Sequence, residues 1–322
     1  MSMGQLQASE AADALRHCTY LVVAARGSSD NAALFLQYFA GQQLGRVVTL
    51  ATSSLYESER AMDLTGAGVI GISQSGRSPG IARVLEVAQA QGRPTVGITN
   101  DNASPLAQAS QVTIALGTGP EVAVASTKTF TASWCALVQL VSALGDEPLD
   151  GIAEIPQMVE EVTQWALDGD LGIERFGEAA ALTVVGRGVG FAVACEIALK
   201  IREVSGLRAE SYAVSDYLHG PVGADGERCV LLVVVTDELS DEVLAATVRD
   251  SQAAGMLCVF LRPASRTLSG ADAEIVLPFS GPNWLVGLGQ VIIGQVLALR
   301  IGEYRGRPID TSPRLRKVTL SA

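Results

Sequence analysis

Four hydroxyl or amide side chains, Ser73, Gln74, Ser75 and Ser78, crowd the junction between the apolar run Ala67-Gly68-Val69-Ile70 and the helix-like run Ile81–Ala88. A small polar turn that ends a buried strand and opens a helix offers unpaired backbone N–H groups, hydroxyl donors and the positive end of a helix dipole. That is oxyanion chemistry, and phosphate is the anion it suits. A Ser-rich N-cap has the same composition, so this turn by itself leaves both readings open. Ser28 and Ser29 close a second apolar run, and Ser126-Thr127 follow Val122-Ala123-Val124-Ala125. Three hydroxyl-bearing turns in one half of the chain strengthen the phosphate reading.

A second set of residues is suited to proton transfer. Glu196, Lys200 and Glu203 are spaced four and then three apart within the proline-free stretch Phe191–Val204, which places them on one helix face. Such a face is either a solvated salt-bridge stripe or, when partly buried, a carboxylate that a neighbouring ammonium keeps ionised for acid/base work. The chain has two histidines. His17 lies in a polar amino-terminal stretch and reads as a surface residue. His219, in Tyr217-Leu218-His219-Gly220-Pro221, is either a turn residue or a proton carrier at a cleft edge. Lys317, near the carboxyl end, reads by itself as a solubilising charge.

These groups need a scaffold, and the chain alternates apolar strands with helical stretches, the pattern of parallel sheets covered by helices on both faces. Strands are expected near Tyr20–Ala25, Val47–Ala51, Gly68–Ile72, Thr95–Thr99 and Val112–Leu116. After a helix near Thr129–Leu144 and another near Ile155–Leu167 the pattern restarts. Further strands are expected near Ala181–Val185, Arg208–Ser211, Cys229–Val235, Met256–Leu261 and Glu274–Leu277, closed by a helix over Trp284–Arg300. The two halves correspond in order, which is an internal duplication. Where the first copy has Ser73-Gln74-Ser75, the second has Thr236-Asp237-Glu238, whose acids repel phosphate. One phosphate site per chain is therefore expected.

Composition narrows the function classes. With 322 residues, 48% apolar and 18% charged, the chain suits a large aliphatic core. Its net charge of −11 argues against general nucleic-acid binding. Five dispersed cysteines (Cys18, Cys135, Cys195, Cys229, Cys258) fit neither a zinc site nor a disulfide framework. Gly186-Arg187-Gly188-Val189-Gly190 lacks the dinucleotide spacing, so no cofactor and no metal are expected. The Trp284–Leu299 stretch carries glycines and glutamines and reads as too short and too polar for a membrane span, and better as a buried or interface helix. The amino terminus has no signal pattern, and a cytoplasmic enzyme is the default.

Six motifs in order resemble the sugar-isomerase (SIS) domain family, specifically the tandem isomerase half of glucosamine-6-phosphate synthase. They are Arg26-Gly27-Ser28-Ser29-Asp30-Asn31, Ile72-Ser73-Gln74-Ser75-Gly76, Glu121 through Lys128, Ala198-Leu199-Lys200-Ile201-Arg202-Glu203, Ala209-Glu210-Ser211-Tyr212, and Leu218-His219-Gly220-Pro221. The tail Pro313-Arg314-Leu315-Arg316-Lys317-Val318-Thr319 is similar to the family's, one residue shorter between proline and lysine. The fold implied is α/β: two tandem SIS domains, each a flavodoxin-like parallel sheet with helices on both faces. The first, 1–150, would bind phosphate; the second, 151–322, would carry the catalytic helix and tail.

By this resemblance Ser29, Ser73, Gln74, Ser75 and Ser78 hold a 6-phosphate, and Ser28, Val124, Ser126 and Glu196 contact the sugar. Glu203 moves a proton between C1 and C2, Lys200 keeps it ionised, and His219 opens the ring; Lys317 lies in the tail that folds over the sugar, where the family's corresponding lysine can form a Schiff base with the open-chain ketose. The histidine comes from a neighbouring subunit in the family, which implies a homodimer with shared active sites. The synthase's glutaminase part has no counterpart in this sequence, so glutamine use is not expected. The expected activity is that of SIS-type glucosamine-6-phosphate deaminases, yielding fructose 6-phosphate and ammonia. A dehydratase acting on N-acetylglucosamine 6-phosphate, a fructosamine-6-phosphate deglycase, an aldose–ketose isomerase and a non-enzymatic sugar-phosphate sensor stand as alternatives.

Overall fold

The computed structural model describes residues 3–58, 60, 62–145, 147–311 and 317. The chain divides into two compact units. The first takes residues up to Val122, Ser126–Ile152 and Lys317; the second takes Ala123–Ala125 and the described chain from Ala153 to Thr311.

Runs of β-branched and small apolar residues form the strands, because a strand buried on both faces has no polar alternation to keep. The first unit contains β1 (Tyr20–Ala24), β2 (Val48–Leu50), β3 (Ala67–Ile72), β4 (Thr95–Thr99) and β5 (Val112–Ala115), all parallel, in the order β2-β1-β3-β4-β5. One face packs Val22, Ala24 and Val69 against Val84, Leu85 and Ala88 of helix Pro79–Ala90. Helices Met3–Leu15, Ser28–Leu44 and Lys128–Leu144 pack together as a second helical layer, with the Phe35 and Trp134 rings stacked at 3.5 Å between centroids. The amino-terminal helix, which buries Ala8, Ala11, Ala12 and Leu15, falls where the sequence suggested only a polar lead-in.

The second unit contains β6 (Ala181–Gly186), β7 (Ala209–Ala213), β8 (Cys229–Val234), β9 (Leu257–Pro263) and β10 (Ala273–Leu277), again parallel, in the order β10-β9-β8-β6-β7. Counted from its own first strand, this is the order of the first sheet. Helix Asp241–Ala253 covers one face through Leu244 and Val248. Helix Val189–Lys200 lies on β6 and against helix Asn283–Tyr304. Gly294 permits that close helix pairing: a Cβ there would stand 2.3 Å from Ile197 Cγ1.

Two expectations need correction. Helix Asn283–Tyr304 runs 22 residues, long and apolar enough by length and composition to cross a membrane, whereas the sequence reading had it too short. Of its most apolar window 83% is buried inside the protein, so it behaves as a core helix. The stretch expected as one regular helix to Val204 is α-helical only to Lys200 and continues as a π turn over Ile201–Ser205.

Candidate active site

In an open parallel sheet, ligands bind beyond the carboxyl ends of the strands where adjacent strands send their helices to opposite faces. In the first unit that place is the junction of β1 and β3, which are neighbours. Chain leaving β1 enters helix Ser28–Leu44, and chain leaving β3 enters helix Pro79–Ala90. The residues between each strand and its helix are Ala25–Gly27, followed at once by Ser28 and Ser29, and Ser73–Ser78.

The Ser73–Ser78 turn is held by its own side chains. Ser73, 5% exposed, accepts the Gly76 N–H on its Oγ at 3.1 Å, which leaves its hydroxyl proton to donate elsewhere. The Gln74 carbonyl accepts from the Asn100 N–H at 3.1 Å and the Thr99 hydroxyl at 3.3 Å. Ser75 Oγ accepts the Arg77 N–H at 3.3 Å. Gly76 has φ 62°, and a Cβ on it would stand 2.0 Å from Ser104 Oγ, so the turn admits only glycine here. Ser78 is the N-cap of helix Pro79–Ala90 and makes no side-chain capping bond, so the helix leaves its hydroxyl for other use. Ser28 and Ser29, half-buried, are the first residues of helix Ser28–Leu44. The nearest sequence neighbour with positive charge, Arg77, is paired with Asp101 at 3.3 Å.

Ser126 belongs to a different cluster, built around a residue the sequence reading did not place in the site. Glu121 accepts from Ser126 Oγ at 2.8 Å, Thr129 Oγ1 at 2.6 Å, the Thr127 and Thr129 N–H groups at 3.0 and 3.2 Å, and Lys317 Nζ at 2.7 Å. The carboxylate thereby caps the start of helix Lys128–Leu144 and holds Lys317. Burial pushes the Glu121 carboxyl up, but the donors from Lys317, Thr129 and the backbone overcome it and bring its pKa down to about 2. Val124 groups with the second unit, its N–H donating to Asp310 O at 3.2 Å. Among the tail residues expected to accompany Lys317, Pro313, Arg314, Leu315, Arg316, Val318 and Thr319 lie outside the described residues.

Because folded Glu121 titrates below its ordinary 4.5, its contribution to stability is present above about pH 4.5 and is lost as pH falls toward 2. We expect Glu121→Gln to lose about 2–3 kcal/mol at pH 7, with the gap to wild type closing on acidification. Parallel unfolding curves at pH 7 and pH 3 measure it; a constant gap would contradict the assignment.

In the second unit the structure gathers Glu196, Lys200 and Glu203. Lys200, 1% exposed, donates to Glu203 Oε2 and stands 3.6 Å from Glu196 Oε1. The Glu196 side chain is equally buried, whereas that of Glu203 keeps 23% exposure. The solvated-stripe reading is thereby excluded. One ammonium serves two carboxylates, and the one with an open side is Glu203, carried on the π turn, a distortion that recurs at functional positions. His219 is exposed and follows the short helix Val214–Leu218. Its segment is anchored by Tyr217, whose hydroxyl donates to Asp225 Oδ2 at 3.0 Å; Thr183 Oγ1 donates to the same oxygen at 2.7 Å. The links from Glu121 to Lys317 and from Asp225 to Thr183 join residues distant in sequence, which spacing does not reveal.

Comparison with known proteins agrees with this architecture. The SIS domain family matches residues 14–143. A glutamine–fructose-6-phosphate aminotransferase (isomerizing) of Halobacterium salinarum is 28% identical over 317 residues, covering 95% of this chain and 52% of that protein. The chain thus spans about half the length of the curated relatives it matches. A solved structure from Thermotoga maritima, a glucosamine-6-phosphate deaminase, superposes with a TM-score of 0.75 at 18% identity, covering 98% and 99% of the two chains, a likeness of fold alone. A protein of Silicibacter pomeroyi DSS-3 named as a phosphosugar isomerase superposes with a TM-score of 0.80 at 30% identity, covering 96% of this chain and 93% of that one. With a SIS domain over residues 14–143 and identity at that level along nearly its whole length, the chain belongs to the SIS-domain family.

Proposed function

We propose that the chain is an amino-sugar phosphate deaminase/isomerase that converts glucosamine 6-phosphate and water into fructose 6-phosphate and ammonia. In this reading the two units are tandem SIS domains, 1–150 for phosphate and 151–322 for chemistry, working as a cytoplasmic homodimer. The observation that carries it is the half-open Glu203 carboxylate held against the buried Lys200 ammonium. A carboxylate set beside an ammonium, with one side exposed, is equipped to take a proton from carbon. The names of relatives, covering aminotransfer, isomerisation and deamination of phosphosugars, support the substrate class.

The steps follow from the groups. Ser73, Gln74, Ser75, Ser78 and Ser29 hold the 6-phosphate; Ser28, Val124, Ser126 and Glu196 keep the sugar-binding roles that the resemblance implies. His219 moves a proton between O1 and O5 and opens the ring. Glu203 takes the C2 proton and returns it to C1, turning the 2-amino aldose into a 2-imino ketose. Water adds to C2, the C–N bond breaks, and ammonia leaves. Lys317, already paired with Glu121, serves as a fixed ammonium over the substrate rather than as a free amine nucleophile.

Purified protein should release equal amounts of ammonia and fructose 6-phosphate from glucosamine 6-phosphate. The same assay, with mass analysis of products, runs on N-acetylglucosamine 6-phosphate, galactosamine 6-phosphate, a fructosamine 6-phosphate and glucose 6-phosphate. Ammonia from none of them, with turnover of another member of the panel, replaces the deaminase reading by the matching alternative.

A further inference from the structure

The two units begin the helix after their first strand in the same way. Gly27, with φ 61° and ψ −130°, precedes helix Ser28–Leu44; Gly188, with φ 56° and ψ −126°, precedes helix Val189–Lys200. Side chains rarely tolerate that conformation, which presents the first helical N–H groups beyond the strand end as an anion receptor. What stands in the receptor differs. A Cβ built on Gly27 meets nothing within 4 Å, whereas one built on Gly188 would overlap Glu238, with Oε2 1.4 Å away. That oxygen accepts the Val189 N–H at 3.1 Å.

Glu238 is aimed there by a loop clamped on both sides. Arg266 Nη1 donates to Thr236 O and Leu239 O, each at 2.8 Å, and Nη2 pairs with Asp241. The Asp237 N–H donates to Asn283 Oδ1 at 3.2 Å. The acids at 237 and 238, read from sequence as groups that repel phosphate, therefore do something more definite. One of them, Glu238, accepts the first N–H of the helix.

We propose that the second unit contains an oxyanion site kept occupied by its own carboxylate, Glu238, and that this internal anion positions the helix bearing Lys200 and Glu203. A carboxylate at the helix start satisfies N–H groups and opposes the dipole without waiting for a ligand. The helix, fixed at Val189, delivers Glu196 and Lys200 within its regular part and Glu203 on the turn that follows. The site itself stands on geometry; only the kinetic arm of its test rests on the deaminase reading.

Glu238→Ala empties the receptor, and formate is the probe, with chloride at matched ionic strength as control. The variant should melt about 3 °C below wild type and recover with formate but not chloride. Wild type and Glu238→Gln, which keeps an oxygen for the Val189 N–H, should not respond to formate. With glucosamine 6-phosphate, kcat of Glu238→Ala should fall about fivefold at unchanged KM and rise again with formate. A folded Glu238→Ala indifferent to formate, or one that stays unfolded in saturating formate, overturns the proposal. Recovery of Tm without recovery of kcat overturns the positioning role. If wild type does not turn over glucosamine 6-phosphate at all, the deaminase reading fails, while formate-dependent melting still decides the site.

Discussion

Glu203→Gln should lower kcat on glucosamine 6-phosphate by about a thousandfold, the scale set by loss of a positioned general base. Glutamine keeps the shape and one oxygen for the Lys200 ammonium but cannot take the C2 proton. Binding should survive, because the Ser73–Ser78 turn, to which we assign the phosphate, is formed by Ser73, Gly76 and Ser104 without any part of Glu203. Calorimetric titration with fructose 6-phosphate should therefore give a dissociation constant within about threefold of wild type, the expected split when only transition-state stabilisation is removed. The companion assay is solvent-deuterium incorporation at C1 of the product, which should vanish with turnover. Retention of more than a tenth of wild-type kcat would falsify the role of Glu203.

The second large effect is on stability. Lys200 is buried between two carboxylates, and its removal leaves Glu196 and Glu203 facing one another without their shared cation. Breaking a buried ion pair from one side costs about 3–5 kcal/mol, because the remaining charge stays desolvated. Lys200→Met should lose stability on that scale at pH 7, read from denaturant midpoints. Part of the loss should return in the double variant Glu196→Gln/Lys200→Met, where one carboxylate has been neutralised. Loss of under 1 kcal/mol, or a deficit indifferent to Glu196, would show that the cluster is not held by charge.

Both effects depend on features that differ in how far sequence exposes them. The central strands β1, β3, β4, β6, β8 and β9 fall where apolar runs lie between turn residues, since a doubly covered parallel strand has a local signature. The Ser73–Ser78 turn and the Glu196-Lys200-Glu203 spacing are likewise local. The amino-terminal helix Met3–Leu15 escaped because its buried face is mostly alanine, which carries little hydropathy contrast. The π turn escaped because it depends on how Ile201 and Ser205 are packed, and Ser205 Oγ bonds back to Ile201 O at 2.7 Å. Glu121 and Asp225 acquire meaning through Lys317 and Thr183, partners that only the folded chain brings near. The position of Glu238 was legible as an acid, but its target was not, because Val189 opens the helix that follows another strand.

The stacked pair of Phe35 and Trp134 has a spectroscopic consequence. The chain has three tryptophans, and Trp134, fully buried, is the one in the first unit; Trp165 and Trp284 belong to the second. With Trp165 and Trp284 replaced by phenylalanine, indole emission would report the melting of the first unit alone. The complementary Trp134→Phe chain would report the unit that carries the acid/base cluster. Folding of the two halves can then be followed as separate optical transitions in one polypeptide, without cutting it.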